Sequence, residues 1–164
     1  MAFFRTKKIK GNEYAYIVEN EWNRRGSRQK VKGYAGRIYK FNVKNDINFL
    51  DFRKIENVEK YVAENDFKKI ISDLTEWELF KHEIDKNKFT TDLNGIKVMQ
   101  NGRNVVLIIN EGFMCSLTLK KIFEFMPEGD ESNDGYRLAR AFVESGIKIP
   151  QDVFISLFGK LFKY

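Results

Sequence analysis

One cysteine, Cys115, and one histidine, His82, stand in a chain of 164 residues. The single thiol excludes an intrachain disulfide and any zinc site built from several cysteines of one chain. The single imidazole removes most histidine metal sites and histidine-based triads. Only two prolines occur, so packed elements with short connections are expected. Long apolar runs are missing too. The longest, Val105 to Ile109, falls far short of the ~20 residues of a bilayer-spanning helix. Nor does an apolar run of signal-peptide length follow the opening Met-Ala-Phe-Phe-Arg-Thr-Lys-Lys. The expectation is a cytoplasmic protein with no cofactor, no metal site and no membrane partner.

What is present is aromatic and cationic. Hydrophobic residues make up 43% and aromatics 15%, enough for a packed core and too much for a disordered chain. The net charge of +6 is unevenly spread. Residues 1–44 hold twelve Lys or Arg and three Glu, a balance of +9, whereas residues 45–164 hold seventeen Lys or Arg and twenty Asp or Glu, a balance of −3. A basic segment on a mildly acidic body is the charge layout of an electrostatic docking module.

The first 44 residues read as β. Phe3 to Lys10 predicts a strand and Gly11-Asn12 a turn. In the next strand Tyr14, Tyr16 and Val18 face one way, Ala15 and Ile17 the other. Asn23 to Ser27 predicts a second turn, Arg28 to Tyr34 a third strand, and Arg37 to Val43 a fourth beyond a bend at Gly33 and Gly36. From Asp51 the spacing turns helical. One helical stretch is expected over Asp51–Asn65 and another over Asp66–Ile84, the latter broken near Leu74 because Thr75 to Glu78 fits a capping box. Hairpin signals follow at Asp92 to Gly95 and at Asn101-Gly102, then a buried strand over Asn104–Asn110. Ser116–Phe125, Asn133–Ser145 and Pro150–Lys163 are expected as helices, with the acidic stretch from Pro127 to Asp134 as a solvated, capping loop. The expected class is α+β. A basic β-module of three to four antiparallel strands (1–44) precedes a mostly helical body with a small β-hairpin sheet (45–164).

On the predicted third strand Arg28, Lys30 and Lys32 share one face, with Tyr34 continuing the row and Val31 turned inward. Arg24 and Arg25 sit in the preceding turn, and Lys7 and Lys10 on the first strand. Aligned cations repel one another unless something anionic lies across them, and a phosphate backbone is the usual object. Tyr34 or Trp22 could stack on bases beside them. The run from Phe4 to Asn20, with Arg28-Gln-Lys-Val and Tyr34-Ala-Gly-Arg, resembles the N-terminal module of a group of DDE-type insertion-sequence transposases, and of small stand-alone archaeal proteins. Ala35 departs from the Leu usual in that pattern. The likeness covers about residues 4–38, and the three-carboxylate catalytic core is not in evidence. It implies a module that contacts nucleic acid, DNA rather than RNA, and does not imply transposition.

A non-catalytic nucleic-acid-binding protein is therefore the leading expectation, through Arg24, Arg25, Arg28, Lys30, Lys32, Tyr34, Lys7 and Lys10. Two alternatives stand beside it. One is a protein-interaction adaptor that dimerises through its C-terminal helices, should Phe158, Phe162 and Tyr164 be exposed. The other is a small metal-dependent nuclease using Asp92 and Glu111 near Lys97. Cys115 is expected to be buried and inert.

Overall fold

A computed structural model describes residues 2–162. The chain is mixed α and β. Three N-terminal strands, β1 (Ala2–Ile9), β2 (Asn12–Asn23) and β3 (Gly26–Lys40), form an antiparallel meander. Three helices follow: α1 (Phe49–Arg53), α2 (Val58–Glu64) and α3 (Phe67–Lys81). Then come β4 (Thr90–Asp92), β5 (Lys97–Gln100), β6 (Arg103–Ile109) and β7 (Gly112–Met114), and three more helices, α4 (Ser116–Phe123), α5 (Glu131–Ser145) and α6 (Gln151–Leu161). Among the described residues, no helix is long and apolar enough to cross a membrane.

The strands do not separate into a module and a small hairpin sheet. They form one seven-stranded sheet in the order β1-β2-β3-β6-β5-β4, with β7 also on β6. The join is a parallel pairing of Arg37 to Lys40 with Val105 to Ile108. Gly36 makes it possible. Its φ is +140°, and a Cβ there would lie 2.4 Å from the carbonyl oxygen of Asn104, so only glycine lets β3 approach β6 so closely.

The two sides of the sheet are covered differently. Val105, Leu107 and Ile109 enter the main core, which α3, α4, α5 and α6 fill with Ile70, Leu74, Leu119, Ile122, Leu138, Phe142 and Leu157. Alternate residues serve a second, smaller core of Ala15, Ala35, Ile38, Val106 and Cys115. The sheet curls around it far enough for Phe4 on β1 to stack on Phe113 of β7, ring centroids 4.8 Å apart. Small side chains inside that curl allow the tight curvature. Cys115 is buried there, as expected.

Several expectations change. The separate third and fourth strands are one strand, because two extra residues, Lys32 and Ala35, are absorbed as irregularities opposite β2. Asp51–Asn65 is two short helices, each with its own asparagine cap: Asn48 accepts from the Asp51 amide and Asn57 from the Lys60 amide. Conversely, α3 runs unbroken past Leu74. The Thr75 hydroxyl donates back to the Ile71 carbonyl at 2.7 Å instead of capping a new helix, and Asp66 is the true N-cap. Pro150 is the N-cap residue of α6 and lies just outside its first turn. β7 had no counterpart in the sequence reading. The acidic loop does cap α5. Asp130 accepts from the Asn133 amide, and Asp134 accepts from the Glu128 and Gly129 amides.

Candidate nucleic-acid interface

Strand β1 reaches only to Glu19 along β2. Beyond it, β2 and β3 continue as a two-stranded ribbon from Asn20 to Gln29, every residue of it exposed. The Arg24-Arg25 turn is its tip, with Asn23 Oδ1 accepting from the Arg25 amide at 2.8 Å. Trp22 beside the tip is 82% exposed. Among the described residues, the side chains of Arg24, Arg25 and Arg28 make no ion pair.

The register divides this ribbon and its root into two faces. Glu19 is paired with Lys30 and Glu21 with Arg28 across the strands. Lys30 Nζ lies 3.5 Å from Glu21, while Lys32 Nζ lies 3.1 Å from Glu21 and 3.6 Å from Glu19. The anion expected to answer this row of cations is thus in part supplied by the next strand. The hydrogen bond from Lys32 holds the Glu21 carboxyl below the usual carboxylate range, and Glu21 raises the Lys32 ammonium in turn. Lys40 is likewise bound to Glu13 at 2.9 Å.

The other face carries Arg5 and Lys7 from β1, Tyr14, Tyr16 and Trp22 from β2, and Tyr34 and Arg37 from β3. No carboxylate of β1–β3 shares it, by the same register. Tyr34 sits here because the irregularity at Lys32 resets the alternation. It lies across from Tyr16, ring centroids 5.3 Å apart, and 6.4 Å from Tyr14. It therefore does not continue the row of Arg28, Lys30 and Lys32. Val31, expected inward, is half-exposed on this tyrosine face. Lys7 Nζ lies 5.0 Å over the Tyr16 ring and the Arg37 guanidinium 5.1 Å over Tyr39. Arg5 donates to Gln29 Oε1 and Arg37 to Asn12 Oδ1, each at 2.8 Å.

Where β3 meets the β5–β6 turn, this face opens into a cleft of about 750 Å³. Tyr14, Tyr34 and Arg37 form one wall, and Gln100, Asn101 and Arg103 the other, with no acidic residue in the lining. Partial burial keeps the Tyr34 hydroxyl above the ordinary tyrosine range, with Tyr16 and Tyr14 adding to it and Arg103 and Arg37 opposing. It remains a neutral hydrogen-bonding group across the physiological range.

The eight expected site residues therefore occupy four places. Arg24 and Arg25 form the tip, Arg28, Lys30 and Lys32 the glutamate-paired face, and Lys7 and Tyr34 the tyrosine face. Lys10 lies in the β1–β2 turn at the opposite end of β2, in a left-handed conformation with φ 49°. Arg103 and Gln100 were not anticipated, since only the β3–β6 pairing brings them beside Tyr34. The nuclease candidates Asp92, at the end of β4, and Glu111 lie away from this face. Asp92 Oδ1 accepts from the Asn94 and Gly95 amides at 3.1 and 3.0 Å, and Glu111 lies in the β6–β7 turn with φ 64°. Among the described residues no group of three or more His, Cys, Asp or Glu could hold a metal ion.

In comparisons with family models, curated proteins and solved structures, nothing matches this chain.

Proposed function

We propose that the protein is a non-catalytic nucleic-acid-binding protein that docks on phosphates through its β1–β3 module. The observation that carries this reading is the exposed ribbon end. Arg24, Arg25 and Arg28 stand clear of the body, without an ion-pair partner among the described residues, beside a Trp22 ring that is 82% exposed. Guanidinium groups are matched to phosphate oxygens by their planar donor fork. The +9 balance of residues 1–44 supplies the long-range attraction, and the transposase-like opening points the same way.

The test is fluorescence-anisotropy binding to labelled DNA and RNA across a salt series. Phosphate docking gives a linear fall of log affinity with log salt, with a slope near −0.9 per neutralised phosphate on duplex DNA. Charge reversal at Arg24 and Arg25 is expected to flatten that slope by about two contacts. An unchanged slope and affinity in that variant would remove the ribbon tip from the interface.

A second reading is an adaptor that pairs two copies through α5 and α6. It is supported by Val143 and Ile155, which are 71% and 61% exposed there. Phe158 and Phe162, on which the sequence reading had rested, are half-buried, and Tyr164 lies outside the described residues. The mass in solution by sedimentation decides this reading.

A further inference from the structure

We infer that the tyrosine face takes a single-stranded polynucleotide, with one unstacked base lodged in the cleft against Tyr34. This inference rests on the nucleic-acid reading above and gives it a strand state.

By register the tyrosine face holds Arg5, Lys7 and Arg37 and no carboxylate of β1–β3, and the cleft adds Arg103 and again no acid. The occupant is therefore anionic. The opposite face already answers Lys30 and Lys32 with Glu19 and Glu21, so part of its positive charge is paired within the protein.

The face offers rings as well as charge. Tyr34 is 55% exposed, and its ring stands against Tyr16 instead of filling the core. Two cations lie over rings at about one ring's reach, Lys7 on Tyr16 and Arg37 on Tyr39. Ring beside cation, repeated along the face, matches base beside phosphate, repeated along a strand. Base–aromatic stacking needs the flat side of a base. Inside a duplex that side is covered by its neighbours, whereas a single strand presents it. Finally, Gln100 and Asn101 add side-chain amides to the cleft lining, the Gln100 Oε1 accepting from the Tyr39 hydroxyl at 2.5 Å while its NH2 group is left to donate. Such groups can donate to and accept from a base edge. At about 750 Å³ the cleft is within the size range of small-ligand sites.

The experiment compares a labelled single-stranded DNA of about 15 nucleotides with its duplex, for the full chain and for Tyr34→Ala, Tyr34→Leu and Tyr34→Phe. Tyr34 is largely exposed, and Leu keeps its apolar bulk, so loss of folding does not decide the result. The expected outcome is a single-strand preference of at least about tenfold. Tyr34→Ala and Tyr34→Leu should weaken single-strand binding by about five- to a hundredfold, the range of one lost base stack, with Tyr34→Phe close to the parent. Equal binding of duplex and single strand, with Tyr34→Ala unchanged and the salt slope intact, would overturn this inference while leaving phosphate docking in place. Absence of binding to either probe at low salt would overturn both.

Discussion

At the scale of single residues, one carboxylate far from the interface holds three segments of the chain together. Glu78 on α3 is fully buried. Its Oε2 accepts from Asn110 Nδ2 at 2.8 Å and lies 3.2 Å from Lys81 Nζ, and its Oε1 accepts from the Lys148 amide at 2.9 Å. Lys81, itself buried, sits 3.7 Å over the Trp77 ring, and His82 Nδ1 donates to the Glu78 carbonyl at 2.8 Å. One side chain thus ties α3 to the β6–β7 turn and to the α5–α6 connection. Glu78→Gln leaves the Lys81 ammonium buried without its counter-ion. It is expected to cost about 3–5 kcal/mol, read as a lower urea midpoint, and Glu78→Gln with Lys81→Met should recover part of it. A loss below about 1 kcal/mol would show that the pair is not needed. Nothing in the sequence separates Glu78 from the other carboxylates, because its partners lie 32 and 70 residues away.

At the scale of elements, the β2–β3 ribbon shows how register decides what a charge pattern means. Read along one strand, Arg28, Lys30 and Lys32 form an unanswered cation row. Read across two strands, Glu19 and Glu21 lie opposite, and the irregularities at Lys32 and Ala35 send Tyr34 to the far face. Alternation in β2 was legible, since Tyr14, Tyr16 and Val18 do share a face; the offset in β3 was not, because an extra residue leaves no compositional mark. The ion pairs are exposed and worth little to stability, yet they shield Lys30 and Lys32 from an incoming phosphate. Glu19→Gln with Glu21→Gln is therefore expected to change folding stability by less than about 1 kcal/mol. It should raise nucleic-acid affinity several-fold at low salt and steepen the salt dependence, in the same anisotropy titration. Unchanged affinity would show that the Lys30–Lys32 row is no part of the interface.

At the scale of the whole molecule, the basic module is not free-standing in its packing. Its small core of Ala15, Ala35 and Ile38 is completed by Val106 and Cys115, with Ile108 and Phe113 packed against it, all from beyond residue 100. Three strands with half a core are marginal in water. A peptide of residues 1–44 is expected to show no cooperative thermal transition and no slowly exchanging amides, whereas the same amides of β2 and β3 are protected in the full chain. Protected amides in the peptide would establish the module as an independent unit.

Local patterns in the chain were enough for its fold class and the order of most of its elements. An α+β chain with an N-terminal meander, helices at 3.6-residue spacing, a hairpin at Asn101-Gly102 and a basic first quarter all follow from local patterns. Backbone preference, capping and alternation act within a few residues. Long-range packing alone makes the sheet continuous, makes Gly36 the point of joining, and brings Arg103 and Gln100 into one cleft with Tyr34. It also decided which cations are already answered by glutamates and which are not. Those outcomes depend on register and on contacts between residues tens of positions apart. Their energies come from close packing and paired charge, which no local stretch of the chain encodes alone.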